Sequence, residues 1–102
     1  MRVLHLNKNN FENEVIIYNG KVLIDFWAPW CPPCRNLSPI IDEIAEEIST
    51  IKVCKVNVDE ENELARKFNV TNIPLLVIIE NGKIIKSSLG FISKEEVLKL
   101  LK

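Results

Sequence analysis

Cys31 and Cys34 are the residues of this 102-residue chain whose type and spacing most readily do chemistry. They stand in Trp30-Cys31-Pro32-Pro33-Cys34-Arg35, between an almost continuously apolar run from Lys21 to Trp27 and a stretch of helical periodicity. Residues three apart on a helical turn share one face, with Cβ atoms about 5–6 Å apart, which approaches disulfide geometry. Cys31 is expected at or just before the helix N-terminus. Unpaired amides and the positive end of the helix dipole there favour thiolate over thiol, so Cys31 should be more acidic than an ordinary thiol. Cys34, one turn deeper, should be shielded and less acidic. Unequal environments suit unequal tasks: Cys31 attacks and Cys34 resolves.

Other chemistries fit less well. A Cys-x-x-Cys pair can be half of a zinc site, but structural zinc takes four ligands, and only Cys54 and His5 remain, on separate predicted strands. A merely structural disulfide is disfavoured because so short a loop constrains the unfolded chain little. Three cysteines are too few, and odd in number, for a disulfide-built secreted scaffold. The 13 basic and 14 acidic residues leave a net charge of −1, which argues against nucleic-acid binding. The longest apolar run, Ile73 to Ile79, is far short of the roughly 18–20 residues that span a bilayer. The N-terminus reaches His5 and Asn7 before a signal-peptide core develops, so a cytoplasmic location is expected.

The elements that must position the pair follow from periodicity. Arg2 to Leu6 reads as a first strand. Asn9 or Asn10 can cap a helix running to Tyr18, with Phe11, Val15 and Tyr18 on one side, and Asn19-Gly20 ends it. Lys21 to Trp27 reads as a strand covered on both faces, which makes Asp25 conspicuous. A helix should run from the cysteine pair to about Ser49, burying Leu37, Ile40, Ile41, Ile44, Ala45 and Ile48 and leaving Asp42, Glu43, Glu46 and Glu47 to solvent. Pro39 should kink it by removing an amide. Ile51 to Asp59 reads as a strand, and Glu60 to Asn69 as a short helix with Leu64, Ala65 and Phe68 inward. Pro74 to Ile79, Asn81-Gly82, Ile84 and Ile85 make a hairpin with a type I′ turn. Ser93 and Glu96 resemble a capping box opening a last helix that buries Val97, Leu98 and Leu101. Alternating strands and helices followed by a hairpin imply an α/β fold with a mixed sheet and right-handed crossovers, at a length suited to one domain.

The run Asp25-Phe26-Trp27-Ala28-Pro29-Trp30-Cys31-Pro32-Pro33-Cys34 resembles the signature of the thioredoxin family. Pro39, Lys55-Val56-Asn57-Val58-Asp59, Ile73-Pro74, Asn81-Gly82 and Leu89-Gly90 extend the resemblance along essentially the whole chain, as one thioredoxin domain over residues 1–102. It implies a central five-stranded mixed sheet flanked by four helices, in the order first, third, second, fourth, fifth. It also implies a dithiol–disulfide oxidoreductase and electron carrier that reduces protein disulfides. Asp25 would be the general base for Cys34, Lys55 would tune it, and Pro74 would follow a cis bond facing the pair. Trp30, Pro32, Ile73, Leu89, Gly90 and Phe91 would form an apolar docking collar around Cys31. No bound cofactor or metal is implied beyond the redox-active Cys31–Cys34 disulfide. The implied partners are protein disulfides and a thioredoxin reductase, either an NADPH flavoenzyme or a ferredoxin-fed iron–sulfur enzyme. A monomer engaging neither membrane nor nucleic acid is expected.

The residues themselves add detail. A carboxylate buried in a strand should have a raised pKa, and Lys55 should oppose that rise; a direct Asp25–Lys55 ion pair is the alternative. Trp27 reads as packing beneath the active-site loop. Pro32 replaces the family's usual glycine, leaving Cys34 N–H as the nearest donor to the Cys31 sulfur, and Pro33 should disfavour helical geometry at Pro32. Leu75 stands where the family commonly has threonine, and Phe91 is bulkier than usual. Cys54 should face away from Lys55 as a small buried hydrophobe. Two rivals remain: a reductase dedicated to one partner, and a binding module that uses the collar without turnover.

Overall fold

The computed structural model describes residues 3–102, so Arg2 of the predicted first strand lies outside the described residues. Five strands form one sheet: β1 (Leu4–His5), β2 (Lys21–Trp27), β3 (Lys52–Asn57), β4 (Leu75–Glu80) and β5 (Lys83–Leu89). Their order is β1-β3-β2-β4-β5. β2 lies at the centre, parallel to β3 and antiparallel to β4. Three α-helices, α1 (Pro32–Glu47), α2 (Asn62–Lys67) and α3 (Lys94–Leu100), and a π-helix (Glu12–Ile16) flank it, giving four helical elements among the described residues. This is the mixed, four-helix thioredoxin fold that the resemblance implies.

The alternation of β2 divides the core, because successive side chains point to opposite faces. Val22, Ile24 and Phe26 pack with Cys54, Val56, Val77 and Ile79 beneath Phe11 and Val15. Leu23 packs with Val53, Leu76 and Ile78 beneath Leu37, Ile41 and Ile44 of α1 and Val97 of α3. Asp25, two residues beyond Leu23, therefore faces α1. Cys54 lies on the opposite face from Lys55.

Several boundaries differ from the sequence reading. The predicted Asn9–Tyr18 helix is a single π-wound turn, with Ile17 N donating to Glu12 O at 3.0 Å. Neither Asn9 nor Asn10 caps it: the N-cap is Phe11, with no side-chain cap. The asparagines form a turn before it, in which Asn7 Oδ1 accepts from Asn9 N and Asn10 N and Asn10 Oδ1 accepts from Asn7 N at 2.8 Å. That reciprocal turn holds the chain ahead of Phe11. α2 starts two residues late because Glu60 N and Glu61 N are both taken by Asn57 O, and Ala65 is only partly buried.

The hairpin turn has positive φ at Asn81 (51°) and Gly82 (80°), as a type I′ turn requires. A Cβ on Gly82 would sit 2.7 Å from Ile16 O, so only glycine fits there. β5 runs well beyond Ile85, through Lys86, Ser87 and Ser88. Its polarity hid it, since an edge strand needs backbone pairing rather than burial. The capping box at Ser93 is complete: Glu96 N donates to Ser93 Oγ, and Ser93 N to Glu96 Oε1. No helix among the described residues is long and apolar enough to cross a membrane.

Candidate active site

The chain leaves β2 at Trp27 and enters α1 within five residues, so the end of the central strand delivers the cysteine pair to a helix start. Cys31 is the N-cap residue, with extended backbone, and its Sγ accepts from Cys34 N at 3.3 Å. Cys34 N–H is thus the amide that serves the sulfur, as the double proline predicts. Pro32 itself is helical, contrary to the expectation drawn from Pro33. The two prolines occupy the first two helical positions, where amides have no intrahelical partner and the fixed φ of proline suits the helix. The two sulfurs are at disulfide distance, with Cα atoms 5.2 Å apart. Both cysteines are buried, Cys34 more completely than Cys31.

A second loop closes over the pair. The Ile73–Pro74 bond is cis, and Ile73 O lies 3.8 Å from Cys31 Sγ. Gly90 N donates to Pro74 O at 2.7 Å, tying the end of β5 to the start of β4. Around this opening Trp30 (64% exposed), Leu89 (60%) and Phe91 (49%) stand out as large exposed apolar side chains. Pro32 is exposed beside them, while Ile73 and Gly90 are half-buried. Trp30 Nε1 donates to Asp59 Oδ2 at 2.9 Å, a contact absent from the sequence reading. It arises because β2 and β3 are parallel, so the residues just past their ends meet. Trp27 packs against Ala28, Cys31 and Cys34.

On the face of β2 that α1 covers, Asp25 is fully buried, and neither carboxylate oxygen has a hydrogen-bond partner among the described residues. Burial pushes its pKa up to about 7; Lys55 opposes the rise and Asp42 adds to it. Asp25 and Lys55 are register partners on β2 and β3. The direct ion pair weighed as an alternative is nonetheless not formed. Lys55 Nζ donates instead to Ser38 Oγ at 2.6 Å and pairs with Asp42 Oδ1 at 2.9 Å. Asp42 is therefore not simply left to solvent, and neither are Glu43 and Glu47, which pair with Lys94 at 3.1 and 2.8 Å. Ser38 escaped sequence reasoning, although its place four residues after Cys34 puts both on one helix face.

Cys54 is buried on the far face of the sheet, where desolvation pushes its thiol up to about 12 against the opposing charge of Lys52. No group of three His, Cys, Asp or Glu side chains among the described residues is arranged to hold a metal ion.

A cysteine pair at a helix start, just past the end of a central strand that carries a buried carboxyl, defines a thiol–disulfide exchange centre. Comparison with known proteins agrees. The sequence model of the thioredoxin family matches residues 2–102. The thioredoxin of Haemophilus influenzae is 38% identical over 96 residues, covering 93% of this chain and 90% of the relative. The thioredoxin of Pyropia yezoensis is 42% identical over 102 residues (99% and 95%), and that of Porphyra purpurea 42% over 95 residues (92% and 89%). The chain belongs to the thioredoxin family. Its activity is protein-disulfide reduction, with the Cys31–Cys34 pair as the redox centre.

Proposed function

We propose that Cys31 is the nucleophile, Cys34 the resolving thiol and Asp25 the base that activates it. In the reduced protein the Cys31 thiolate attacks one sulfur of a substrate disulfide. That S–S bond breaks, the departing substrate sulfur takes a proton, and a mixed disulfide through Cys31 forms. The Cys34 thiol then passes its proton to the Asp25 carboxylate, and its sulfur attacks Cys31. The mixed disulfide breaks, the second substrate sulfur leaves as a thiolate that takes a proton from solvent, and Cys31–Cys34 is oxidised. Two electrons have passed to the substrate.

The observation that carries this division of labour is the asymmetry of the sulfurs. Cys31 sits at the N-cap, with its sulfur receiving the amide of Cys34, while Cys34 lies a turn deeper in a helix packed over the Asp25 face. A carboxyl held near pKa 7 can accept and release a proton at neutral pH. Lys55 modulates it. Pro74, just ahead of β4, with Trp30, Pro32, Ile73, Leu89, Gly90 and Phe91, forms the docking collar, since an exposed apolar patch of this kind suits a protein partner.

The protein works as one domain over residues 1–102, a cytoplasmic monomer that needs neither membrane nor nucleic acid. A thioredoxin reductase restores the dithiol, either an NADPH flavoenzyme or a ferredoxin-fed iron–sulfur enzyme. Insulin-disulfide reduction tests the assignment. Cys31→Ser abolishes turnover while the fold persists, and Cys34→Ser accumulates covalent adducts through Cys31. Turnover by Cys31→Ser, or adducts through Cys54, would overturn it.

A further inference from the structure

Lys55 lies beside a buried carboxylate that has no hydrogen-bond partner among the described residues, yet its own hydrogen bonds run elsewhere. Ordinarily a buried ammonium next to a lone carboxylate would pair with it, since low dielectric strengthens their attraction. Here the ammonium is held from the helix side, by Ser38 Oγ at 2.6 Å and Asp42 Oδ1 at 2.9 Å. Ser38 and Asp42 stand one turn apart on α1, and both line a cleft of about 350 Å³ that also borders Trp27, Cys34, Arg35 and Pro39. The cleft opens beside the resolving cysteine, and Asp42 places its charge at the rim, with its side chain 58% exposed.

We propose that Ser38 and Asp42 are positioning residues that hold the Lys55 ammonium off Asp25, leaving that carboxyl free to accept a proton from Cys34. The proposal rests on the reading of Asp25 as the base. Lys55 carries three donor protons, and the helix commits it to two acceptors that are not Asp25. Loss of either acceptor frees the ammonium to turn toward its register partner, which favours the charged carboxylate. Removing the charge of Asp42 acts in the same direction, because that charge itself raises the proton affinity of Asp25.

Other charged or titratable groups on the elements packed here do not take over this role. From α1, Arg35 lines the cleft but turns its Nη1 to Pro29 O at 3.1 Å, and Cys34 is in the disulfide. From β4, the register partner of Asp25 is the apolar Leu76. From β1, His5 pairs in register with Lys55 on the far side and is exposed.

The test is an NMR titration of the Asp25 side-chain carboxyl in the oxidised protein. Ser38→Ala and Asp42→Asn are each expected to lower its midpoint by about half a unit or more, while Ser38→Thr, which keeps the hydroxyl, stays within about 0.2 units of the parent. Lys55→Gln raises the midpoint, and on that background Asp42→Asn keeps only the part due to its own charge on Asp25 and shows a smaller shift than in the parent, because the route through the ammonium is gone. An unchanged or raised midpoint in Ser38→Ala and Asp42→Asn would overturn the proposal. So would an undiminished Asp42→Asn effect beside Lys55→Gln. The pH profile of mixed-disulfide resolution should move with the midpoint. If Asp25→Asn leaves that profile untouched, the base assignment fails while the clamp is still judged by the titration alone.

Discussion

Replacing Asp25 by asparagine should stabilise the oxidised protein, and the gain should grow with pH. The carboxyl is completely buried without a partner, and burial raises its pKa from 3.8 to about 7. A raised acid binds its proton more tightly in the folded state than in the unfolded one. Its favourable contribution is therefore complete below the unfolded value of 3.8 and is lost as pH rises through the folded value near 7. A shift of about 3 units at about 1.36 kcal/mol per unit makes the total loss about 4 kcal/mol, of which about 3 kcal/mol accrues between pH 5 and pH 8. Asparagine keeps the shape and cannot ionise. Urea unfolding of both proteins at pH 5, 6, 7 and 8 measures the difference directly, and comparing the two cancels every other titrating group. The advantage of Asp25→Asn should rise by about 3 kcal/mol across that range. A difference that stays flat, or one that narrows as pH rises, would refute the account of Asp25 as a desolvated acid.

Cys54 is buried and its thiol is pushed up to about 12, so the oxidised protein should show no thiol reactive toward a colorimetric reagent at pH 8 until denaturant exposes one. Ser93→Ala removes the acceptor for Glu96 N and should cost about 1 kcal/mol in denaturant unfolding, with Ser93→Asp restoring most of it. Gly82→Ala meets both the positive φ of 80° and the 2.7 Å approach to Ile16 O, and should lower stability by more than about 1 kcal/mol.

Pattern alone carried much of the fold. β2 from Val22 to Trp27 is written as an apolar run with one carboxylate, and the Asn81-Gly82 turn and the Ser93/Glu96 box are local chemistry that forms wherever those residues sit. The dithiol was equally legible, because three-residue spacing at a strand-to-helix junction is a local geometric fact. Burial of Asp25 followed from its apolar neighbours in sequence.

What sequence spacing does not encode is which polar side chains meet across elements. Asp42 looked like one of several solvent-facing acids on α1, and only the packing of that helix over β3 brings it to Lys55. The same packing presents Ser38 to the ammonium and leaves Asp25 unpaired. Trp30 finds Asp59 because two parallel strands end side by side. β5 was underread because an edge strand is held by its backbone, whose hydrogen bonds leave no mark on side-chain hydropathy. The amino-acid order determined the sulfurs, the buried acid and the strands and turns that carry them. Tertiary packing decided where the one buried ammonium among the described residues points. Long-range electrostatics depends on distances between elements, and those distances exist only once the helix has docked on the sheet.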